Sequence, residues 1–140
     1  MPLGTLSITD DSVPVFSPTY PNAKSSFTGL TIIGITYRVA VSEIRHLVPN
    51  VLELDEEPIM TSLFVEYGMS SVGAYSEFVH QVEVSYKGER FDYNLILILD
   101  NEAAIFAGRE LYGYPKVFGN TTIEPLTGSR LVLGGAERPT

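Results

Sequence analysis

At 140 residues and 44% hydrophobic content, the chain has the size and apolar fraction of one globular domain with a real core, which excludes a disordered tail. A formal net charge of -8 without a basic cluster argues against nucleic acid or an anionic membrane as partner, because phosphate binding needs concentrated Lys and Arg. No cysteine is present, so disulfides and thiolate chemistry are excluded.

Residues 1–26, punctuated by Pro14, Pro18 and Pro21, read as an extended arm lying over the domain or a neighbour. The first residues show neither a basic segment nor a long apolar one, and no apolar run is long enough to span a bilayer, so the default expectation is cytoplasmic. Thr31 to Val39 is rich in β-branched and aromatic residues and predicts a strand. Ser42 to Val48 predicts a short helix closed by Pro49, with Ile44, Leu47 and Val48 as its buried stripe. Ile59 to Tyr67, Glu77 to Tyr86 and Asp92 to Leu99 predict further strands, the last two joined by a turn at Lys87-Gly88-Glu89-Arg90, which gives a meander. Asp100 or Asn101 can cap a helix over about Glu102 to Leu111, which leads through Gly113 and Pro115 to a strand beginning near Lys116.

Other chemistries are weakly supported. Glu43 with His46, and His80 with Glu83, are pairs without a third ligand, and structural or solvent roles are favoured for them. Gly108 and Gly134-Gly135 do not form a phosphate loop, and no Gly-x-Ser-x-Gly elbow is present. Asn120-Thr121-Thr122 fits a glycosylation acceptor, read as a chance match in the absence of an export signal.

The stretch Gly108-Arg109-Glu110-Leu111-Tyr112-Gly113-Tyr114-Pro115-Lys116 stands out. Of three lysines, Lys24 and Lys87 lie in polar turn-like contexts, whereas Lys116 has Tyr112, Tyr114 and Phe118 nearby. An ammonium held against apolar surface loses hydration, which favours the neutral, nucleophilic amine. The alternative is a strand-edge lysine that snorkels past the tyrosines into water. For Arg109 and Glu110 the readings are a role in the pocket, in orienting the lysine loop, or in pairing at the helix end.

Asp100 to Ile105 followed by the lysine stretch resembles the core motif of the acetoacetate decarboxylase family, whose Schiff-base lysine follows a Tyr-Pro pair. Tyr37-Arg38, Leu47-Val48-Pro49, Leu52-Glu53-Leu54-Asp55, Gly73-Ala74-Tyr75-Ser76-Glu77 and Asp92-Tyr93 match in the same order, so the resemblance runs from about Phe27 to Gly119. It implies an α+β fold, mainly antiparallel sheet, forming part of a β-barrel or cone with short flanking helices. Relatives continue for roughly as much sequence again, so residues 1–140 are expected to form a single domain that is incomplete at its carboxyl end. Half a closed sheet leaves unpaired edges, which favours either instability or association with another chain, with a homo-oligomer as the expectation.

The resemblance implies Lys116 and Glu77 as catalytic residues, with Tyr75, Tyr114, Leu30, Ser62, Val117 and Glu66 around the substrate. Three of these depart from the family. Leu30 stands at an arginine position, Ser62 at a glutamate and Val117 at a second lysine, so any lowering of the Lys116 pKa would rest on burial, which Val117 could support. Period-two alternation aims Glu66 at the same face as Ser62, where it either replaces the missing carboxylate or faces solvent.

The implied function is Schiff-base decarboxylation of a β-keto acid or related carbonyl compound, with no metal or organic cofactor. One alternative keeps the imine for aldol condensation or dehydration of a larger keto acid. A second is a non-catalytic ligand-binding or assembly fragment.

Overall fold

The structure, a computed structural model, describes residues 1–7, 17–21 and 24–139. Pro14 and much of the expected arm lie outside the described residues. Of the remainder, residues 1–7 are exposed and without regular structure, while Tyr20 is buried.

Four long strands, β1 (Phe27–Arg38), β2 (Ile59–Ser70), β3 (Tyr75–Tyr86) and β4 (Glu89–Leu99), pair as an antiparallel meander. The helix α2 (Glu102–Tyr112) then carries the chain back, so that β5 (Lys116–Phe118) joins the sheet parallel to β4. Among the described residues the fold is therefore mainly antiparallel with two short α-helices, the other being α1 (Val41–Ile44). Among the described residues no helix is long and apolar enough to cross a membrane.

Several elements differ from expectation. The first strand begins at Phe27, because Phe27 to Leu30 are held by pairing with Tyr67 to Ser70 on β2. Gly29 and Gly68 sit in that stretch, and glycine carries no strand preference that would announce it. After Ile44 the first helix tightens to a three-residue 3-10 turn, Arg45–Leu47. The α-helical stripe therefore ends, and Leu47 is 52% exposed while Ile44 is buried. The hairpin after β3 turns on two residues, Lys87 and Gly88, both with positive φ, the geometry that matches the twist of the flanking strands.

A further hairpin, β6 (Asn120–Pro125) and β7 (Val132–Glu137), was not expected. Gly134-Gly135 lowers the strand signal of β7, yet a Cβ at Gly134 would come within 2.8 Å of the Phe64 ring. The glycine lets the hairpin backbone lie on the sheet. Thr121 on β6, buried, donates through Oγ1 to the Ile98 carbonyl at 3.0 Å and fixes the crossing.

Residues paired across neighbouring strands share a face and successive residues alternate, so the register sorts the sheet into two sides. One side carries Met60, Val82 and Val84, which close with Ile44 into a core beneath α1. The same side carries Phe64 and Phe78, with ring centroids 5.0 Å apart, under the β6–β7 hairpin. The opposite side carries Tyr75 and Leu99, which pack on Ala104 of α2. The second core is the wall against which the lysine stretch is set.

Candidate active site

Asn101 starts α2: its side chain accepts from the Ala104 N–H at 2.9 Å, and its Nδ2 donates to the Val72 carbonyl, also at 2.9 Å. One residue thus caps the helix and ties the β2–β3 loop to it. Ser17, Pro18 and Thr19 of the amino-terminal arm lie beside the same helix end. At the other end Gly113, in the left-handed conformation with φ 69, closes α2 as its N–H reaches the Arg109 carbonyl, and Tyr114 N–H bonds Gly108 O at 3.0 Å. Arg109 then donates to the Lys116 carbonyl at 2.9 Å. Of the open readings for Arg109, the geometry matches orientation of the lysine loop.

Lys116 is paired with Leu97 in the parallel register, and Glu77 with Leu99, so both side chains lie on the α2 side of the sheet. Lys116 is 8% exposed and Glu77 3%. Nζ donates to Glu77 Oε1 at 2.5 Å, a buried ion pair. The lysine does not snorkel. Its aliphatic stem runs across Gly108, where a Cβ would stand 2.3 Å from Cδ and 2.4 Å from Cε. Only a glycine leaves that path open.

The other oxygen of Glu77 accepts from the Tyr67 hydroxyl at 3.4 Å. Tyr67 stacks in tilted fashion on Tyr75, with centroids 4.6 Å apart, and on Phe27 at 5.2 Å. Burial, then the charge of Glu77 and the hydrogen bond to it, pushes the Tyr67 phenol up to about 12. Burial, then Glu77 and Tyr67, raises Tyr75 as well. Both phenols are therefore neutral across the physiological range. Because the folded state favours the protonated phenol, this contribution to stability is complete below the unfolded value of 10.0 and is lost as pH rises toward about 12. Urea midpoints taken at stepped pH are expected to fall across that window, and to fall less in Tyr67→Phe; coincident profiles for the two proteins would contradict the assignment.

Beside Lys116 opens a cavity of about 240 Å³, walled by Phe27, Val72, Tyr75, Ala107, Tyr112 and Tyr114 and floored by the lysine. Tyr75 and Tyr114 are thus brought to it. Leu30, paired with Tyr67, shares the side of the sheet with Glu77 but stays 46% exposed and does not line the cavity. Ser62, Glu66 and Val117 are not brought to Lys116. Ser62 is paired with His80, Glu66 with Ser76 and Val117 with Ile98, all on the opposite side. Glu66 does share a side with Ser62, as alternation requires, and is exposed. Ser62 Oγ bonds His80 Nδ1 at 2.9 Å, and burial lowers the His80 pKa. Val117 adds nothing to the walls of Lys116, since adjacent strand residues point to opposite sides; α2 and the tyrosines desolvate the lysine instead.

Sequence reasoning missed Tyr67, Phe27, Val72 and the steric role of Gly108. A glycine inside a predicted helix was the available signal for Gly108, because it costs about 1 kcal/mol against alanine and calls for a packing reason. Tyr67 becomes visible only once the β2–β3 register is known.

Residues 12–138 match the model of a family described as acetoacetate decarboxylase (ADC). Decarboxylase DEC1 of Cochliobolus heterostrophus is 44% identical over 117 residues, which are 82% of this chain and 46% of that protein. Acetoacetate decarboxylase of Clostridium acetobutylicum is 36% identical over 108 residues, 77% of this chain and 44% of the relative. A solved structure from studies of acetoacetate decarboxylase superposes with a TM-score of 0.83 at 31% identity, over 92% of this chain and 52% of that one. The chain spans about half the length of these relatives. Sequence and fold agree: the chain belongs to the acetoacetate decarboxylase family.

Proposed function

We propose that the chain supplies the reactive lysine of an imine-forming decarboxylase acting on a β-keto acid or related carbonyl compound. The observation that carries this reading is the buried Lys116–Glu77 pair, at 2.5 Å, with Lys116 on the floor of a cavity. Glu77 takes the ammonium proton, which leaves the Lys116 amine with a free lone pair. The amine adds to the ketone carbon, and Glu77 returns the proton as the carbinolamine hydroxyl leaves as water, giving an iminium. Electrons of the bond to the departing carboxylate then flow into the iminium; carbon dioxide leaves and an enamine remains. A solvent proton adds to the enamine carbon, and hydrolysis frees the ketone and the amine. Tyr67, neutral and bonded to Glu77 Oε2, holds the carboxylate in register with Nζ.

Borohydride reduction in the presence of a β-keto acid, followed by peptide mass spectrometry, tests the reading. Substrate mass is expected on the peptide holding Lys116, with turnover reduced roughly 10⁴-fold or more in Lys116→Ala. An unmodified Lys116 under turnover would refute it. Carbon dioxide release separates decarboxylation from the aldol or dehydration reading, in which the imine forms and carbon dioxide does not. The edge strand β1 exposes Leu30, Ile32 and Ile35, which supports self-association; a monomer in sedimentation velocity at all concentrations would remove that expectation.

A further inference from the structure

Acetoacetate is a small anion, and a site built for it would present a second cation to its carboxylate. The cavity beside Lys116 does not. Among the described residues that line it, Lys116 is the one charged group, and it is already paired with Glu77. The guanidinium of Arg109 is turned to the backbone carbonyl of Lys116 and does not line the cavity.

The walls are instead aromatic. Tyr112 and Tyr114 line it with ring centroids 5.9 Å apart and tilted by 33°, and Phe27 and Tyr75 line it as well. Faces and edges at these separations suit a further ring. Size agrees: an apolar cavity of about 150 Å³ holds benzene, so 240 Å³ has room for a ring and a short chain reaching the lysine.

We infer that the pocket selects a ketone bearing an aryl group, or an apolar group of similar size, and gives no preference to a small anionic keto acid. The inference deepens the imine-forming reading of Lys116 and rests on it for the reacting atom. The aryl group lies against Tyr112, Tyr114 and Phe27, the carbonyl carbon faces Nζ, and any carboxylate points toward Ser25 and Ser71, two uncharged polar residues of the lining.

The test uses the full chain and three probes: 4-phenylbutan-2-one, acetone and 4-oxopentanoate. Binding is followed by perturbation of tyrosine ring resonances, and imine formation by borohydride trapping. The aryl ketone is expected to bind about tenfold or more tightly than either small probe, as one or two filled apolar contacts would give. Tyr112→Ala and Tyr114→Ala are each expected to remove most of that preference, and Tyr86→Ala, at the far hairpin, none of it. Equal or tighter binding of 4-oxopentanoate, or an aryl preference untouched by both tyrosine substitutions, overturns the inference. The two readings fail separately. Aryl binding without trapping at Lys116 would defeat the imine and leave the pocket assignment standing, whereas trapping with no aryl preference would do the reverse.

Discussion

Glu77→Ala is expected to destabilise the chain by about 3–5 kcal/mol, because it leaves the Lys116 ammonium buried without its partner. Stabilities of single domains are about 5–15 kcal/mol, so this is a large fraction of the whole. Lys116→Met should cost less. The carboxylate it strands keeps the Tyr67 hydroxyl as a donor at 3.4 Å, whereas the stranded ammonium in Glu77→Ala has no such bond among the described contacts. The informative variant is the double replacement Lys116→Met/Glu77→Leu. Exchanging a buried ion pair for apolar groups of similar volume is often neutral or stabilising by about 1–4 kcal/mol, since desolvating two charges offsets most of their attraction. Urea denaturation of all three variants measures this. A double variant as stable as the parent would mean that folding does not require the pair, and chemistry becomes the reason to keep it. A double variant as unstable as Glu77→Ala would make the pair a structural device and weaken the catalytic reading.

What was legible in the sequence follows from the range of the forces involved. The four long strands and α2 announce themselves through local patterns: β-branched runs, the Lys87-Gly88 turn and an asparagine before a helical stretch. Lys116 was legible through its aromatic neighbours and the ordered motif around it. Side of the sheet was not. Ser62 and Val117 were grouped with Lys116 by the family resemblance, and Glu66 by its alternation with Ser62, but the pairings Ser62 with His80, Glu66 with Ser76 and Val117 with Ile98 set them on the opposite side. A slip of one residue in register reverses that assignment, and register depends on partners on another strand, as in the Ser62–His80 bond across 18 residues. The β6–β7 hairpin was missed for a related reason. Its glycines weaken local strand preference, and their use, close approach to Phe64, exists only in the folded chain.

Gly108→Ala is expected to slow imine trapping at Lys116 by about 10²-fold while the fold survives, the scale of loss that goes with misplacing a reacting group by about 1 Å. Two terms act on stability and oppose each other. Alanine favours the helix by about 1 kcal/mol, and overpacking against a filled site costs about 1–3 kcal/mol. The net change is therefore no more than about 2 kcal/mol, too little to unfold the domain. The effect on position is not offset. The added methyl would occupy the path of Cδ and Cε, and Lys116 is held from both ends, by Glu77 at Nζ and by the β5 pairing and Arg109 at its backbone. The side chain can yield only by lengthening or breaking the ion pair. Gly88→Ala is the control, because Gly88 has φ 83 at a distant turn and nothing near its missing Cβ. Its cost is conformational, of order 1 kcal/mol, with no change in trapping. Trapping rates, read beside urea midpoints for the two variants, separate placement from stability. An unchanged rate in Gly108→Ala would show that the lysine finds another course to its partner, and that Gly108 serves the close approach of α2 to the sheet and not the aim of Nζ.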